Sequence, residues 1–222
     1  GIILLFLFAS WGFFGKMPSF DDLENPDSNV ATEIISSDGV LIGKFYKENR
    51  TPVKYEELPQ HLVKALVATE DERFYEHSGI DVKGTLRAVV KLGRDGGAST
   101  LTQQLAKNLF HGSDGSKFIL FRIIQKVKEW IIAIRLERQY TKQEIIALYL
   151  NQVDFVNGAV GIRSAAKIYM NKEPKDLTIE ESALFVGMLK NPSLYNPNRK
   201  KRAQLVLDRR NTVLGQMLKN GV

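Results

Sequence analysis

From Leu58 onward, apolar side chains recur at helical spacing. Segments 59–72, 82–92, 100–109, 117–138, 142–151, 161–170, 179–190 and 200–218 each carry an apolar stripe with a polar opposite face, so each predicts a helix. Before them, 32–35 and 40–46 are short β-leaning runs. Ser36-Ser37-Asp38-Gly39 separates them, and Asp-Gly supports the positive φ of a tight turn, so the two runs predict a hairpin. The pattern describes a mainly α domain with a short β-hairpin at its entry, covering 32–222. No internal repeat or low-complexity tract interrupts it.

Two segments precede that domain. Residues 1–14 read GIILLFLFASWGFF without a charge, shorter than the roughly 20 residues that cross a bilayer as a helix. No basic region precedes the run and it opens on Gly, unlike a secretory signal. We read 1–16 as the outer part of a truncated transmembrane anchor; a buried core helix or a signal remnant is the plainer alternative. Residues 17–31, rich in Pro, Asp, Asn and Ser, read as a linker.

Composition narrows the chemistry. With 222 residues, 44% hydrophobic and 25% charged, the chain can bury a real core, so disordered and fibrous classes are excluded. The absence of cysteine removes disulfide scaffolds, thiolate zinc sites and cysteine nucleophiles. His61, His77 and His111 are too far apart for a helical metal-gripping pair. A net charge of +6 points to an anionic partner, and beside an apolar anchor that partner is lipid headgroup or lipid-linked phosphate rather than nucleic acid.

Four places in the chain can carry chemistry. Continuing the stripe Val63, Leu66, Val67 by helical spacing reaches Glu70 and then Phe74, whereas Asp71 falls on the turn with Lys64 and Ala68. A carboxylate on an apolar face is desolvated and suited to proton transfer near neutrality; a helix-end Glu facing water is the ordinary alternative. Next, Gly96 and Gly97 lead into Ser99, Thr100, Thr102, Gln103, Gln104 and Lys107, a dense polar set suited to sugar hydroxyls and phosphate. Thr100 with Gln103 makes a capping-box pattern whose helix-start amides would bind anions, although any glycine-led helix start looks similar.

Third, one stripe of the 117–138 helix reads Arg122, Lys126, Glu129, Ala133, two cations and a carboxylate that could neutralise a departing diphosphate or simply form a solvated salt-bridge face. Its opening residues, 118–124, are apolar nearly all round, as in a buried or lipid-contacting helix. Last, Ser164-Ala165-Ala166-Lys167 matches the serine-acylation pattern SxxK, but no Ser-x-Asn or Lys-Thr-Gly follows, and we treat it as coincidental.

In order along the chain, these blocks resemble the peptidoglycan glycosyltransferase domain of class A penicillin-binding proteins and their monofunctional relatives. The resemblance rests on Glu70-Asp71-x-x-Phe74-x-x-His77-x-Gly79-x-Asp81, on the run from Gly96 to Asn108, on Lys126-x-x-Glu129, and on Lys142 with Glu144 and Tyr149-Leu150-Asn151. A final block carries Ala165-Ala166, Tyr169, Leu177-Thr178, Glu181 to Leu184 and Tyr195-Asn196-Pro197. The sequence departs from the family at Gln125, where an Arg is usual and Arg122 is the candidate replacement, and at Ala98, which lengthens the glycine loop.

The resemblance implies a lysozyme-like fold with a large helical lobe and a small membrane-associated lobe, for which 118–124 is the natural candidate. It implies polymerisation of lipid II into β-1,4 glycan strands, with inversion and release of polyprenyl diphosphate. Glu70 is then the general base and Glu129 the second essential carboxylate. Ser99, Thr100, Gln103, Gln104, Lys107, Arg122 and Lys126 hold sugar and diphosphate, while Asp71, Phe74 and His77 shape the site, with a purely structural role for His77 equally open. No cofactor is implied as obligatory; a divalent cation, Mg or Mn, is an optional aid at Glu129. The implied partners are lipid II, the lipid-linked glycan chain, membrane lipids and, in bifunctional proteins, a following transpeptidase domain. The implied location is the outer face of the bacterial cytoplasmic membrane. A muramidase or lytic transglycosylase, or an inactive glycan-binding scaffold, would share part of the pattern.

Overall fold

The computed structural model describes residues 32–35, 41–45, 52–90, 99–110 and 119–222. The anchor and linker of the sequence reading, the turn at Asp38-Gly39, the glycines before Ser99, and His111 lie outside them, as do the side chains of 118–121. Strands β1 (Thr32–Ile35) and β2 (Leu41–Phe45) pair antiparallel, Thr32 opposite Phe45, with an irregularity between Ile34 and Ile35.

The helices are α1 (Gln60–Glu70), α2 (Val82–Val90), α3 (Leu101–Phe110), α4 (Ile119–Gln139), α5 (Lys142–Gln152), α6 (Gly161–Ala165), α7 (Ile179–Leu189) and α8 (Ala203–Lys219). The expected helix over 161–170 is α6 followed by a wider π-turn at Ala166–Met170, closed by Asn171 in the left-handed region. Sequence signals explain the sharpest boundaries. Thr141 and Thr178 each cap a helix by accepting the amide proton of the Glu three residues on, while Glu144 and Glu181 accept from the capping residue's own amide.

Helices α7 and α8 pack on each other and on α1, and α3 packs between α4 and α5. Leu62, Leu66, Phe74, Leu101, Leu105, Leu136, Ile145, Leu150, Phe155 and Phe185 are buried in one continuous core. Asn151, the last residue of the Tyr-Leu-Asn block, ties the segment entering α1 to that core. Its side chain accepts from the Val53 amide and donates to the Val53 carbonyl, both at 2.9 Å, as a neighbouring strand would. Asn151→Ala strands both backbone groups in a half-buried place, so we expect a loss of about 2–3 kcal/mol in denaturant unfolding.

α1 stops two residues short of the end at 72 expected from its pattern. It ends at Glu70, and Asp71 leaves the helix with φ −158°. That break turns Asp71 inward, correcting its expected place on the outer turn: Asp71 is buried, and a short 3-10 turn at Phe74–Glu76 returns the wholly buried Phe74 to the core.

Candidate active site

A cleft of about 750 Å³ opens where the end of α1, the start of α3 and the facing parts of α7 and α8 meet. Glu70, Asp71 and Arg73 line it from the first, Ser99, Thr100 and Gln104 from the second, and Lys190, Arg209 and Lys219 from the third.

Glu70 lies in its wall with 16% of its side chain exposed. Burial raises its pKa above the usual carboxylate range, while the hydrogen bond from Gln104 and the charges of Arg209 and Lys190 pull it back, and the neighbouring Asp71 adds to the rise. Gln104 Nε2 donates to Glu70 at 3.2 Å, and Arg209 Nη2 lies 3.7 Å away. The other end of the Gln104 amide accepts from the Tyr149 hydroxyl at 2.9 Å.

Asp71 acts behind the cleft wall as well as in it. Its carboxylate accepts the Leu101 amide proton at 2.9 Å and meets His77 Nε2 at 3.1 Å. The start of α3 is therefore not the open anion site its sequence suggested. Asp71 takes the Leu101 amide, Thr100 Oγ1 accepts the Gln103 amide, and the Gln103 side chain, only 1% exposed, donates to Gly79 O rather than back to its own cap. Thr100 Oγ1 donates to the same carbonyl at 2.8 Å. Thr102 is likewise buried and donates to Glu137.

On α4, Lys126 Nζ donates to Glu129 at 2.9 Å and to Ser99 Oγ at 2.6 Å, which carries a cation to the margin of the cleft. Arg122, one turn nearer the helix start, is exposed and outside the lining, as is Lys107 on α3. Of the residues singled out from the sequence, Glu70, Asp71, Ser99, Thr100 and Gln104 meet at the cleft and Lys126 with Glu129 borders it. Phe74 and Gln103 support it from within the core, and the half-buried His77 supports it through Asp71.

The sequence reading missed Lys190 and Arg209. One signal was there: Arg209 sits four and eight residues before Val213 and Met217, both buried, so a guanidinium stands on the apolar stripe of α8. Its Nε donates to Gly187 O at 3.3 Å, where α7 and α8 touch. Among the described residues no three His, Asp or Glu side chains converge, and the Glu129 carboxylate already holds an ammonium.

Residues 38–218 match the family model for transglycosylases. The chain belongs to that family, and it carries a peptidoglycan glycosyltransferase domain. It is similar to penicillin-binding protein 1A of Pseudomonas aeruginosa, 37% identical over 100% of this chain and 26% of that protein. It is also similar to penicillin-binding protein 1F of Bacillus subtilis, 41% identical over 87% of this chain and 26% of that protein. A crystal structure of penicillin-binding protein 1A from Haemophilus influenzae aligns at 25% identity and a TM-score of 0.45, over 86% of this chain and 18% of that one. The chain thus spans about a quarter of the length of the curated relatives it matches.

Proposed function

We propose that the cleft polymerises lipid II, with Glu70 as general base. The acceptor's 4-hydroxyl gives its proton to the Glu70 carboxylate as its oxygen attacks the anomeric carbon of the growing chain. The bond from that carbon to the polyprenyl diphosphate breaks on the opposite face, so the new β-1,4 linkage is inverted and the diphosphate leaves with the bonding pair. The observation that carries this reading is the setting of Glu70: a largely sheltered carboxylate in the wall of a large polar cleft, given a fixed donor by Gln104 and flanked by Arg209 and Lys190.

In this reading Lys126, held by Glu129 and Ser99 at the cleft margin, meets the leaving diphosphate as a preset positive charge and stabilises it without rearrangement. Lys107 and Arg122, exposed on α3 and α4, extend the same field outward.

We place this chemistry at the outer face of the bacterial cytoplasmic membrane. Among the described residues no helix is long and apolar enough to cross a bilayer, and the apolar run 1–14 lies outside them. Support for lipid contact comes from α2 and α4. Val82 and Leu86, one turn apart on α2, are 63% and 61% exposed, and Ile123 on α4 is also exposed. The relatives are named penicillin-binding proteins, and a transpeptidase domain as a partner of this one belongs to the same reading.

Incubating the detergent-solubilised protein with labelled lipid II and separating polymer from monomer tests the reaction class. Polymer is expected. Cleavage of preformed glycan with no polymer would replace the synthase reading by a hydrolytic one.

A further inference from the structure

Three side chains from three different helices form one hydrogen-bonded line into the cleft: Tyr149 of α5, Gln104 of α3 and Glu70 of α1. Their donor and acceptor chemistry allows one order. An ionised carboxylate only accepts, so the nitrogen end of the Gln104 amide must face Glu70. The oxygen end then faces Tyr149, whose hydroxyl must donate. Burial, and after it the charge of Glu70, push the Tyr149 phenol well above its ordinary range, so it keeps the proton it donates.

The reverse order requires a protonated Glu70 donating to Gln104 Oε1, with Gln104 Nε2 turned to the phenol oxygen. In that order the Tyr149 proton loses the acceptor it has now. A core tyrosine that cannot reach substrate therefore decides which end of Gln104 meets the carboxylate.

We propose that Tyr149 is a positioning residue for Glu70, its hydroxyl locking the Gln104 amide in the orientation that holds Glu70 ready to accept a proton. The inference rests on the reading of Glu70 as the base and adds a group that reads out through it. The other charged groups facing Glu70 are Arg209 from α8, Lys190 at the end of α7 and Asp71 beside it in the chain; none of them touches the Gln104 oxygen. Removing the hydroxyl leaves these charges in place and frees the amide to turn over.

The test is the pH dependence of kcat/KM for labelled lipid II, measured on the detergent-solubilised protein, wild type and Tyr149→Phe. The acid limb should move up by about one pH unit, the size of one hydrogen bond's preference between the two protonation states, while the high-pH plateau stays close to wild type. Superimposable acid limbs, or a lower plateau with an unmoved limb, would overturn the proposal, the latter because it is what a merely structural tyrosine gives.

A fluorotyrosine at position 149 keeps the shape and is a stronger donor. Its limb should move the opposite way, and an unmoved limb there counts equally against the lock, so the question survives a poorly folding Phe variant. Glu70→Gln run alongside separates the two levels: wild-type activity in that variant would sink the reading of Glu70 itself, whatever Tyr149 does.

Discussion

Glu70→Gln should lower the polymerisation rate by roughly 10²–10⁴, the usual range for a positioned general base, and should do so without loosening the fold. The amide oxygen of Gln still accepts from Gln104, so the line to Tyr149 is kept; what disappears is the ability to take a proton. Stability should move the other way with pH. Burial raises the folded-state pKa of Glu70, so the folded protein binds this proton more tightly than the unfolded chain. The stability this gives is present below the ordinary value of 4.5 and is lost as pH rises through the folded-state value. Above that point the wild type carries a buried charge that Gln lacks. Thermal melts from pH 4 to 8 should show the variant at least as stable as wild type at the upper end, with its relative advantage growing across the titration. A variant that is inactive and also melts lower at pH 8 would mean that the carboxylate serves packing rather than proton transfer.

That opposition between activity and stability is how a catalytic group differs from a core group, and it bears on what could be read from the chain beforehand. Glu70 was legible because its helix pattern is strict: Val63, Leu66 and Val67 define a face, and the next position on it is a carboxylate. Asp71 was legible only through the family resemblance and not through periodicity, since helical extrapolation assumes the helix continues, and here it ends at Glu70 with a backbone break that swings Asp71 inward. The caps of Thr141 with Glu144 and of Thr178 with Glu181 are local devices, both partners lying within one turn. Thr100 with Gln103 forms only the half of its capping box in which Thr100 accepts the Gln103 amide proton, and the other half fails for a tertiary reason. Gln103 found the Gly79 carbonyl, 24 residues away in sequence, which no local pattern encodes. Lys190 and Arg209 belong to the same class: their service to Glu70 depends on how α7 and α8 pack against α1, and only the odd cation on the apolar stripe of α8 hinted at it. The stripe on α4 falls at the edge of the cleft rather than in it. Lys126, paired with Glu129, reaches only the cleft margin through Ser99, while Arg122 is exposed and makes no such link.

Gly79 joins these threads, and Gly79→Ala is expected to be the most damaging methyl addition among the described glycines. Its φ of +89° disfavours any side chain, and an added Cβ would lie 2.8 Å from the carbonyl carbon and oxygen of Ala133 and 3.0 Å from the Ile134 nitrogen. These are backbone atoms in the middle of α4, so no rotamer change relieves the contact; the Gly79 segment or the helix has to move. Left-handed strain of about 1–2 kcal/mol and overpacking of about 1–3 kcal/mol together give roughly 2–5 kcal/mol. For a domain of this size that lowers the melting temperature by about 5–15 °C. Gly158→Ala is the matched control: its φ is +76°, but nothing lies within 4 Å of the new Cβ, so it should show the strain without the clash. Activity should fall with Gly79→Ala even below its melting range, because the Gly79 carbonyl receives both the Thr100 hydroxyl and the Gln103 amide. Displacing it loosens the start of α3, the helix that holds Gln104 against Glu70. If both glycine variants melt alike, the close approach of α4 is not what fixes this turn, and the glycine is there for its backbone angle alone.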